Sequence, residues 1–362
     1  MGRAWIGGKP AALERALDEA VRLLAASRCP LIAGLGTDIA GARAAILLAE
    51  RVGGIIDHMH SHTLLRELAV LREAGMMLTT PNEARLRADV LLLVGPSLGK
   101  ESPELNRSLG LDARGSADAG RRTVIRLCPG RAATALPGET ALGRDPDQLP
   151  RLLAALRARL AGRPVGKTAV PAKAIESVAT LLKAARFGVA VWSAADLDAL
   201  AIEMLCGIVA DLNTQTRFTG VSIAPPDNAV GVLQACGWMT GFPMRTGFGR
   251  GYPEHDPWRY NGDDLQATGA ADCVLWISAY RAATSPWRDR SRLIALTTGH
   301  AISGSPPAVQ IEVGRPGVDH DAVEHCPPLG TLVAVAATQR SGTPSVADAL
   351  GRMLAALPEL AR

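Results

Sequence analysis

Hydrophobic and polar positions alternate in blocks along the first part of the chain. An unbroken apolar run over 30–35 is followed by a Gly-Thr-Asp turn and then by apolar residues at helical spacing over 39–50. A second apolar run, over 55–57, follows a glycine pair that ends the helix. This strand–helix–strand pattern is typical of a βαβ unit, whose strands are buried on both faces. Ligands of such sheets bind at the carboxyl ends of strands, so we expect a site in the polar loop over 58–63.

The same kind of pattern continues to the end of the chain. Further buried strands are predicted over 88–95, 123–127, 187–192, 217–223, 271–278 and 292–297. Amphipathic helices are predicted over 11–27, 63–74, 148–161, 171–185, 195–210 and 344–361. The later elements repeat the order of the earlier ones. The sequence therefore predicts the α/β class, with two Rossmann-like doubly wound modules and parallel sheets.

Breaks in the pattern suggest where the modules end. A Gly/Pro-rich segment closes a first module with its N-terminal helix, residues 1–166, and the second module covers residues 167–330. Residues 331–362 are predicted to form a strand and a C-terminal helix that pack back on the core. The second module carries a long insertion, residues 226–262, without a predicted helix or strand. It is rich in aromatic residues, so we expect it to be ordered and packed.

Composition narrows the class of protein. Of the 362 residues, 48% are hydrophobic, yet no apolar run approaches the ~18 residues that span a membrane. The segment Met1–Pro10 lacks the apolar region of a signal peptide, so we expect a cytoplasmic protein. The net charge of +4 comes from 39 basic and 35 acidic residues that are scattered, whereas nucleic-acid binders cluster their basic residues. We therefore expect neither a membrane nor a nucleic acid as a partner.

The six cysteines are far apart, and the chain has no CxxC pair. Local cysteine pairs that hold an iron–sulfur cluster or a zinc ion are therefore absent from the sequence. We expect buried, reduced thiols. No GxSxG, HExxH or Walker pattern occurs, so we assign no catalytic residue.

Two short motifs in the first βαβ unit have more than one interpretation. Gly34 and Gly36 begin a GxGxxG pattern, but its third glycine would fall at Ile39, which favours a tight turn over dinucleotide binding. His58, His60 and His62 alternate, and on an extended segment all three would lie on one side. Such a set is compatible with a zinc site, a polar loop or a subunit contact. Only Asp57 offers a nearby carboxylate, so we predict no metal there.

The insertion combines aromatic residues with Arg245, Arg250, His255 and Arg259. Guanidinium groups match carboxylates and phosphates, and arginine with aromatic residues is also typical of protein–protein interfaces. A rigid lid tied by glycine and proline is the third interpretation. All three remain open on the residues alone.

The insertion also carries a family resemblance. The segments 241–257, with Phe-Gly-Arg-Gly-Tyr-Pro-Glu-His-Asp-Pro at its end, and 271–275 closely resemble the B subunit of formylmethanofuran dehydrogenase. Residues 34–37, 48–57 and 88–95 match the same family, and the resemblance covers most of residues 25–320. It implies the fold of the central domains of molybdopterin oxidoreductases. It also implies an ancestor with a tungsten- or molybdenum-pterin and a 4Fe–4S cluster.

Two departures from the family change the expected chemistry. No cysteine-rich cluster motif precedes Ala11. The family's cysteine or selenocysteine ligand to the metal falls on Thr63 when the two chains are laid side by side without gaps over 54–75. A hydroxyl is a poor ligand where a thiolate is needed, so Thr63 marks a degenerate metal-ligand position. We expect no metal and no cofactor in this chain.

One branch of the family has this pattern: the B subunits of the formyltransferase/hydrolase complexes of methylotrophic bacteria. The resemblance implies a non-catalytic structural subunit in one-carbon metabolism, between formaldehyde and formate. Its partners would be an amidohydrolase-like A subunit, a formyltransferase D subunit and a C subunit, with the acidic tail of a furan carrier as a further contact. The candidate carrier or partner contacts are His58, His60, His62, Arg245, Arg250, His255 and Arg259. The alternatives are an active molybdopterin or tungstopterin dehydrogenase subunit and a small-molecule binding module.

Overall fold

The computed structural model describes residues 3–96, 98, 103–111, 122–130, 138–287, 292–299 and 305–358. Within these residues the strands are β1 (Ala4–Ile6), β2 (Lys9–Ala11), β3 (Pro30–Gly36), β4 (Ile55–His58), β5 (Val90–Val94), β6 (Thr123–Leu127), β7 (Thr140–Leu142), β8 (Phe187–Trp192), β9 (Arg217–Ser222), β10 (Thr246–Gly247), β11 (Glu254–His255), β12 (Cys273–Ser278), β13 (Arg292–Thr297), β14 (Val309–Glu312), β15 (Ala322–Cys326) and β16 (Thr331–Val335). The helices are α1 (Leu13–Ala25), α2 (Ile39–Val52), α3 (Ser61–Ala74), α4 (Pro81–Arg87), α5 (Pro103–Leu109), α6 (Leu149–Leu160), α7 (Ala172–Lys183), α8 (Ala199–Leu212), α9 (Ala229–Thr240), α10 (Gly262–Thr268) and α11 (Val346–Ala356).

The chain forms two compact units, and both are discontinuous in sequence. Unit 1 consists of residues 1–65, 225–325 and 332–362, and unit 2 of residues 66–224 and 326–331. This division replaces the predicted one, with modules 1–166 and 167–330. The reason is the pairing of the strands, which joins β3 to β12 in one sheet and β5 to β8 in the other.

Unit 1 is built on a nine-stranded mixed sheet, in the order β11-β10-β4-β3-β12-β13-β14-β1-β2. Its central strands β4, β3, β12, β13 and β14 are parallel. Counted within unit 1, they follow the order 2-1-3-4-5, which is one of the two common doubly wound orders. The remaining strands pair antiparallel at both edges, so the prediction of a purely parallel sheet is wrong for this unit.

Both faces of the central strands are buried, as the unbroken apolar runs predict. Alternate residues of β3 and β12, such as Ile32 and Leu275, point to a core formed with α1, α2, α9 and α11. Their neighbours Leu31, Val274 and Trp276 point to the opposite core, which contains Tyr260. The strand period of two thus divides one apolar run between two layers.

Unit 2 has a five-stranded sheet in which every pairing is parallel, in the order β7-β6-β5-β8-β9. In chain order this is 3-2-1-4-5, the other common doubly wound arrangement. Helices α6, α7 and α8 pack on one face, and α4 and α5 pack on the other. A separate two-stranded sheet pairs β15 with β16.

The insertion over 226–262 is ordered, as expected, but it is not a loop. It contains α9, β10 and β11, and α10 begins at its last residue. Strand β10 pairs with β4, so the insertion extends the sheet of unit 1 at one edge. Two-residue strands carry no periodic signal, and α9 has small apolar residues on most sides, which hides a helical pattern.

A bulge in β3 shapes the carboxyl edge of the unit 1 sheet. The register of β3 against β12 shifts between the pairs Trp276–Ala33 and Ser278–Gly36. Gly34 and Leu35 at this point have positive φ angles of 77° and 57°. A Cβ atom at Gly34 would lie 2.5 Å from the carbonyl oxygen of Ile277. Glycine is therefore required at position 34 by both backbone conformation and close approach.

We predict that Gly34→Ala lowers the free energy of unfolding by more than about 3 kcal/mol, because strain in the left-handed region adds to a backbone clash. Gly269→Ala is the matched control, since Gly269 has a φ of 72° but open space around its Cβ position. The control should lose only about 1 kcal/mol. Chemical denaturation of both variants measures the difference, and equal losses would contradict the close-approach argument.

Candidate functional site

The carboxyl ends of β3 and β12 mark the point where the strand order of unit 1 reverses, which is where doubly wound sheets bind ligands. Asp227 lies buried there between the side chains of Arg281 and His60. Arg281 donates from Nη2 to Oδ2 at 2.6 Å and from Nε to Oδ1 at 3.1 Å, and His60 Nε2 lies 3.2 Å from Oδ2. Burial opposes ionisation of Asp227, but the hydrogen bonds from His60 and Arg281 outweigh it and lower its pKa. The carboxylate is therefore charged, and both of its oxygens accept hydrogen bonds.

A strained turn places Asp227 at this edge. Asp227 and Asn228 both have positive φ, at 61° and 57°, a conformation that Asp and Asn tolerate better than most residues. The Asn228 side chain fixes the turn by donating to the Thr37 carbonyl and accepting from the His325 N–H, each at 2.9 Å. Two consecutive left-handed residues are costly unless their surroundings hold them. The hydrogen bonds of Asn228 therefore hold this turn of unit 1 in its strained conformation.

Met59 lies in the crevice at the same edge. Its Cε would be 3.2 Å from a Cβ atom at Gly36, and the Asp227 Cβ would be 3.4 Å from it. Arg281 Nη2 lies 3.7 Å from the Met59 sulfur. Methionine fills irregular gaps well. The chain's own side chains therefore lie directly against the Gly-rich turn.

His58 ends β4 and is buried. Its Nδ1 accepts a hydrogen bond from the His60 N–H at 3.0 Å, while Nε2 has no well-aligned partner among the described residues. This bond favours the neutral tautomer with the proton on Nε2. Burial, and after it the nearby His60, lower the pKa of His58 to about 3 against a smaller opposing effect of Asp227. His58 is therefore a neutral donor at physiological pH.

Asp57 and Arg245 form a second buried pair beside the site. The Arg245 Nε lies 3.6 Å from Asp57 Oδ2, and the Gly262 N–H donates to the same oxygen at 2.8 Å. Burial raises the pKa of Asp57 to about 6, although the Ser61 hydroxyl, Arg245 and Gly262 oppose the rise. Arg245 also donates to the Pro257 carbonyl at 2.6 Å. It holds the insertion onto β4, so the expected role of Arg245 as a surface contact is wrong.

The other residues predicted in the loop after β4 do not form one set. His58 ends a strand, His60 lies in a turn, and His62 and Thr63 lie in the first turn of α3. The segment is therefore not extended, and the expectation that the three histidines share one side is wrong. The backbone N–H of Thr63 donates to the His60 carbonyl at 3.1 Å. His62 is exposed.

The remaining candidates in the insertion lie nearer the surface. Arg250 is exposed and forms an ion pair with Glu254 at 3.2 Å. Arg259 is exposed, and its guanidinium lies 5.5 Å from the centre of the Tyr260 ring. His255 is half-buried in β11, where its Nδ1 is 3.1 Å from the Arg245 carbonyl oxygen. Arg250 and Arg259 are thus the two arginines of the insertion that a partner could reach.

The donors present do not fit a thiolate-ligated metal. Thr63 supplies only a hydroxyl, and none of the described residues forms a group of three or more His, Cys, Asp or Glu side chains suited to a metal ion. Burial raises the pKa of Cys236 to about 11 and that of Cys273 to about 12, so both thiols stay protonated. Protonated thiols are poor ligands for soft metals.

Unit 1 has a second concave feature. A groove of about 560 Å³ runs between the N-terminal turn of α2 and the β15–β16 segment, and its walls are mostly aliphatic. Asp38, at the α2 end, already accepts from the Gly41 N–H at 3.0 Å as the N-cap of the helix. Arg43 is the exposed cation at the same end. The volume is in the range of small-molecule pockets.

Sequence reasoning missed Met59, Asp227 and Arg281. The Pro-Pro-Asp-Asn sequence before α9 was a usable signal for a tight turn with left-handed residues. Arg281 carries no local signal, because it meets Asp227 only through the pairing of β3 with β12.

No family model matches the chain. The B subunit of the formyltransferase/hydrolase complex Fhc of Methylorubrum extorquens is 34% identical over 318 residues, which cover 87% of this chain and 85% of the relative. The chain belongs to the Fhc B-subunit family. It is also similar to the crystal structure of the formyltransferase/hydrolase complex FhcABCD from Methylorubrum extorquens in complex with methylofuran. That match has a TM-score of 0.87 and 32% identity, and covers 98% of both chains.

More distant relatives of the Fhc B-subunit family are redox proteins. The B subunit of tungsten-containing formylmethanofuran dehydrogenase 2 of Methanocaldococcus jannaschii is 31% identical over 283 residues, 74% of this chain and 64% of the relative. The Methanococcus maripaludis protein of the same name is 27% identical over 290 residues, 75% of this chain and 65% of the relative. The chain thus spans less than two thirds of the length of these dehydrogenase subunits. The resemblance seen in the sequence is confirmed.

We predict that His58→Asn costs less stability at low pH than at neutral pH. The folded protein holds His58 neutral with a pKa of about 3, whereas the unfolded chain binds a proton near pH 6.5. The native protein therefore loses stability as the pH falls below about 6.5, and the asparagine variant does not. The Asn Oδ1 replaces the Nδ1 acceptor. The penalty should shrink by roughly 2.7 kcal/mol between pH 7.5 and pH 4.5.

Urea denaturation of both proteins across this pH range measures the effect. Asp57 acts in the opposite direction, because its raised pKa makes its contribution largest at low pH and removes it as the pH rises through about 6. Asp57 is present in both proteins, so its effect cancels in the comparison. His62→Asn, at an exposed position of the same segment, is the control. A His58→Asn penalty that is constant with pH would show that the histidine is not held neutral.

Proposed function

We propose that this chain is the non-catalytic structural B subunit of a formyltransferase/hydrolase complex in one-carbon metabolism, between formaldehyde and formate. Its partners are the amidohydrolase-like A subunit, the formyltransferase D subunit and the C subunit. Support comes from the similarity to a chain of the FhcABCD complex along 98% of both chains. Within this proposal the chain derives from the B subunit of a dehydrogenase and has lost the iron–sulfur and metal ligands.

The proposal rests mainly on one observation: paired side chains of this chain occupy the crevice at the carboxyl edge of the unit 1 sheet. Asp227 is neutralised by Arg281 and flanked by His60, and Met59 lies beside Gly36. A catalytic pocket needs space and groups that are free to meet a substrate. Here these groups are hydrogen-bonded to each other, which favours a structural role.

Redox chemistry in this family needs a metal. At position 63, this chain does not offer the ligand that such a metal requires. The family resemblance implies that Thr63 stands where the dehydrogenases have a cysteine or selenocysteine, and its hydroxyl would fit a tungsten- or molybdenum-pterin poorly. We therefore propose that the chain carries no cofactor. The two sheets would be retained Rossmann-like modules of the molybdopterin-oxidoreductase type, and the protein would be cytoplasmic. No helix among the described residues is long and apolar enough to cross a membrane.

The insertion is the part of the chain that we propose to meet partners. A carrier's acidic tail or a partner's carboxylates would contact Arg250 and Arg259, since Arg245 is committed to Asp57 in the interior. The groove beside α2 favours a second candidate function, the binding of a small molecule. Its aliphatic walls suit an apolar ligand with a carboxylate that reaches Arg43.

We predict that Thr63→Cys and Thr63→Ala leave formate release by the complete complex within about twofold of the unchanged protein, because a structural subunit places no reacting group at this position. The chain is produced with the A, C and D subunits and purified through a tag on the A subunit. Formate release and the tungsten and molybdenum content are measured on the same samples. Both metals should be far below one atom per chain.

Thr63→Ser is the control for disturbance of the first turn of α3. Near-stoichiometric tungsten or molybdenum in the unchanged complex, or loss of activity in Thr63→Ala but not in Thr63→Ser, would contradict the proposal. Either result would instead support the dehydrogenase interpretation.

A further inference from the structure

The aromatic surface consists of Trp238, Met239, Phe242, Tyr252 and Trp258, all in unit 1. Trp258 is 80% exposed, Trp238 is 65% exposed and Tyr252 is 52% exposed. Among the described residues, every strongly exposed aromatic side chain belongs to this surface. Scattered exposed apolar residues are ordinary, but a concentration of them marks a binding surface.

The backbone beneath the aromatic surface is well fixed. Helix α9 ends at Thr240 and is capped by Gly241, which has a φ of 78° and donates to the Gly237 carbonyl. The Phe242 ring stacks on His255 with a centroid separation of 6.3 Å and an angle of 19°. The aromatic side chains are thus presented by ordered elements, so little conformational entropy is lost when a partner binds them.

The turn that carries Trp258 is also held. The Asp256 carboxylate accepts from the N–H groups of Trp258 and Arg259, each at 2.9 Å. Tyr260, two residues further on, is buried and donates to Glu254 at 3.3 Å. One aromatic residue of this segment therefore anchors it in the core, while Trp258 points to solvent.

The exposed area is large enough to matter for association. From the exposures above, the five side chains present on the order of 500–600 Å² of apolar area, if a large aromatic side chain contributes ~150–250 Å². A stable interface buries about 800 Å² on each partner. Tryptophan and tyrosine are also enriched among the few residues that dominate binding energy. A partner that covers all five side chains would therefore find most of one side of a standard interface there.

The charges around the aromatic surface indicate what the partner carries. Glu254 and Asp256 are already engaged with residues of the same segment. Arg259 forms no ion pair with any described residue, and its guanidinium lies 5.5 Å from the centre of the Tyr260 ring. Its five donors suit a carboxylate. The partner that fits is a protein with an apolar pocket for an indole and an acidic side chain at the edge of that pocket.

We propose that the aromatic surface is the docking surface for another, non-identical subunit of the complex; this inference rests on the proposed function. Trp258 is the central anchor, Trp238 and Tyr252 extend the contact, and Arg259 pairs with a carboxylate at its rim. A second copy of this chain fits less well, because its acidic groups in this segment are already used. A lipid surface fits less well, because the formal charges of Arg250, Arg259, Glu254 and Asp256 sum to zero, whereas lipid-binding surfaces carry a basic excess.

The test compares variants of the full chain produced together with the A, C and D subunits. Trp258→Ala should raise the concentration at which the chain dissociates from the complex at least tenfold, and Arg259→Glu at least fivefold. Arg259→Lys should recover part of the loss. Leu200→Ala is the control, since Leu200 on α8 is 59% exposed but lies outside the aromatic surface. Dissociation is followed by mass photometry over a dilution series, and circular dichroism melts check that each free variant is folded.

The outcomes separate this inference from the proposed function. If the unchanged chain joins the complex and Trp258→Ala joins it equally well, the docking surface is overturned while the proposed function stands. If the unchanged chain does not join the complex, both are overturned. Self-association of the unchanged chain that Trp258→Ala abolishes would assign the surface to a second copy. Loss of binding to phosphatidylcholine/phosphatidylglycerol vesicles in the same variant would assign it to a membrane. Either of these last two results overturns the inference.

Discussion

The parallel pairing of β3 with β12 is the constraint on which the rest of unit 1 depends. It joins Pro30–Gly36 to Cys273–Ser278 and makes them central strands of one sheet. The bulge at Gly34 allows this pairing, because no side chain fits against the Ile277 carbonyl there. The pairing brings the Gly-rich turn, Asp227 and Arg281 to the same edge of the sheet. The position at which an open α/β sheet binds ligands is thus built from residues far apart in sequence.

The chain's own side chains occupy the carboxyl edge of the unit 1 sheet. A buried carboxylate costs free energy unless cations and hydrogen-bond donors surround it. Asp227 meets this requirement through Arg281 and His60, and Met59 occupies the adjoining space. A crevice filled in this way stabilises the turn before α9, and with it the insertion that carries the aromatic surface.

Much of the fold could be read from the sequence, because buried strands leave a strong local signal. The strand over 187–192 and the strand over 292–297 were predicted with the bounds that the structure has. The division into units could not be read, since nothing local in Pro30–Gly36 says that its neighbour is β12. The apolar runs over 88–95 and 271–278 have similar compositions and therefore suggest a repeat, although the structure places them in different sheets.

The candidate site was only partly predictable for the same reason. His58 and His60 were found because they follow a strand, but their geometry depends on a turn and a helix start that the alternating pattern does not show. Arg245 lies in a segment rich in arginine and aromatic residues, which suggests a surface contact. It is buried because β10 pairs with β4. The most direct measurement is a high-resolution density map of the complete complex at the carboxyl edge of β3 and β12. We expect the Met59 side chain to lie against Gly36 and Asp227 to bind Arg281, whereas density for a bound pterin in that place would overturn the proposed structural role.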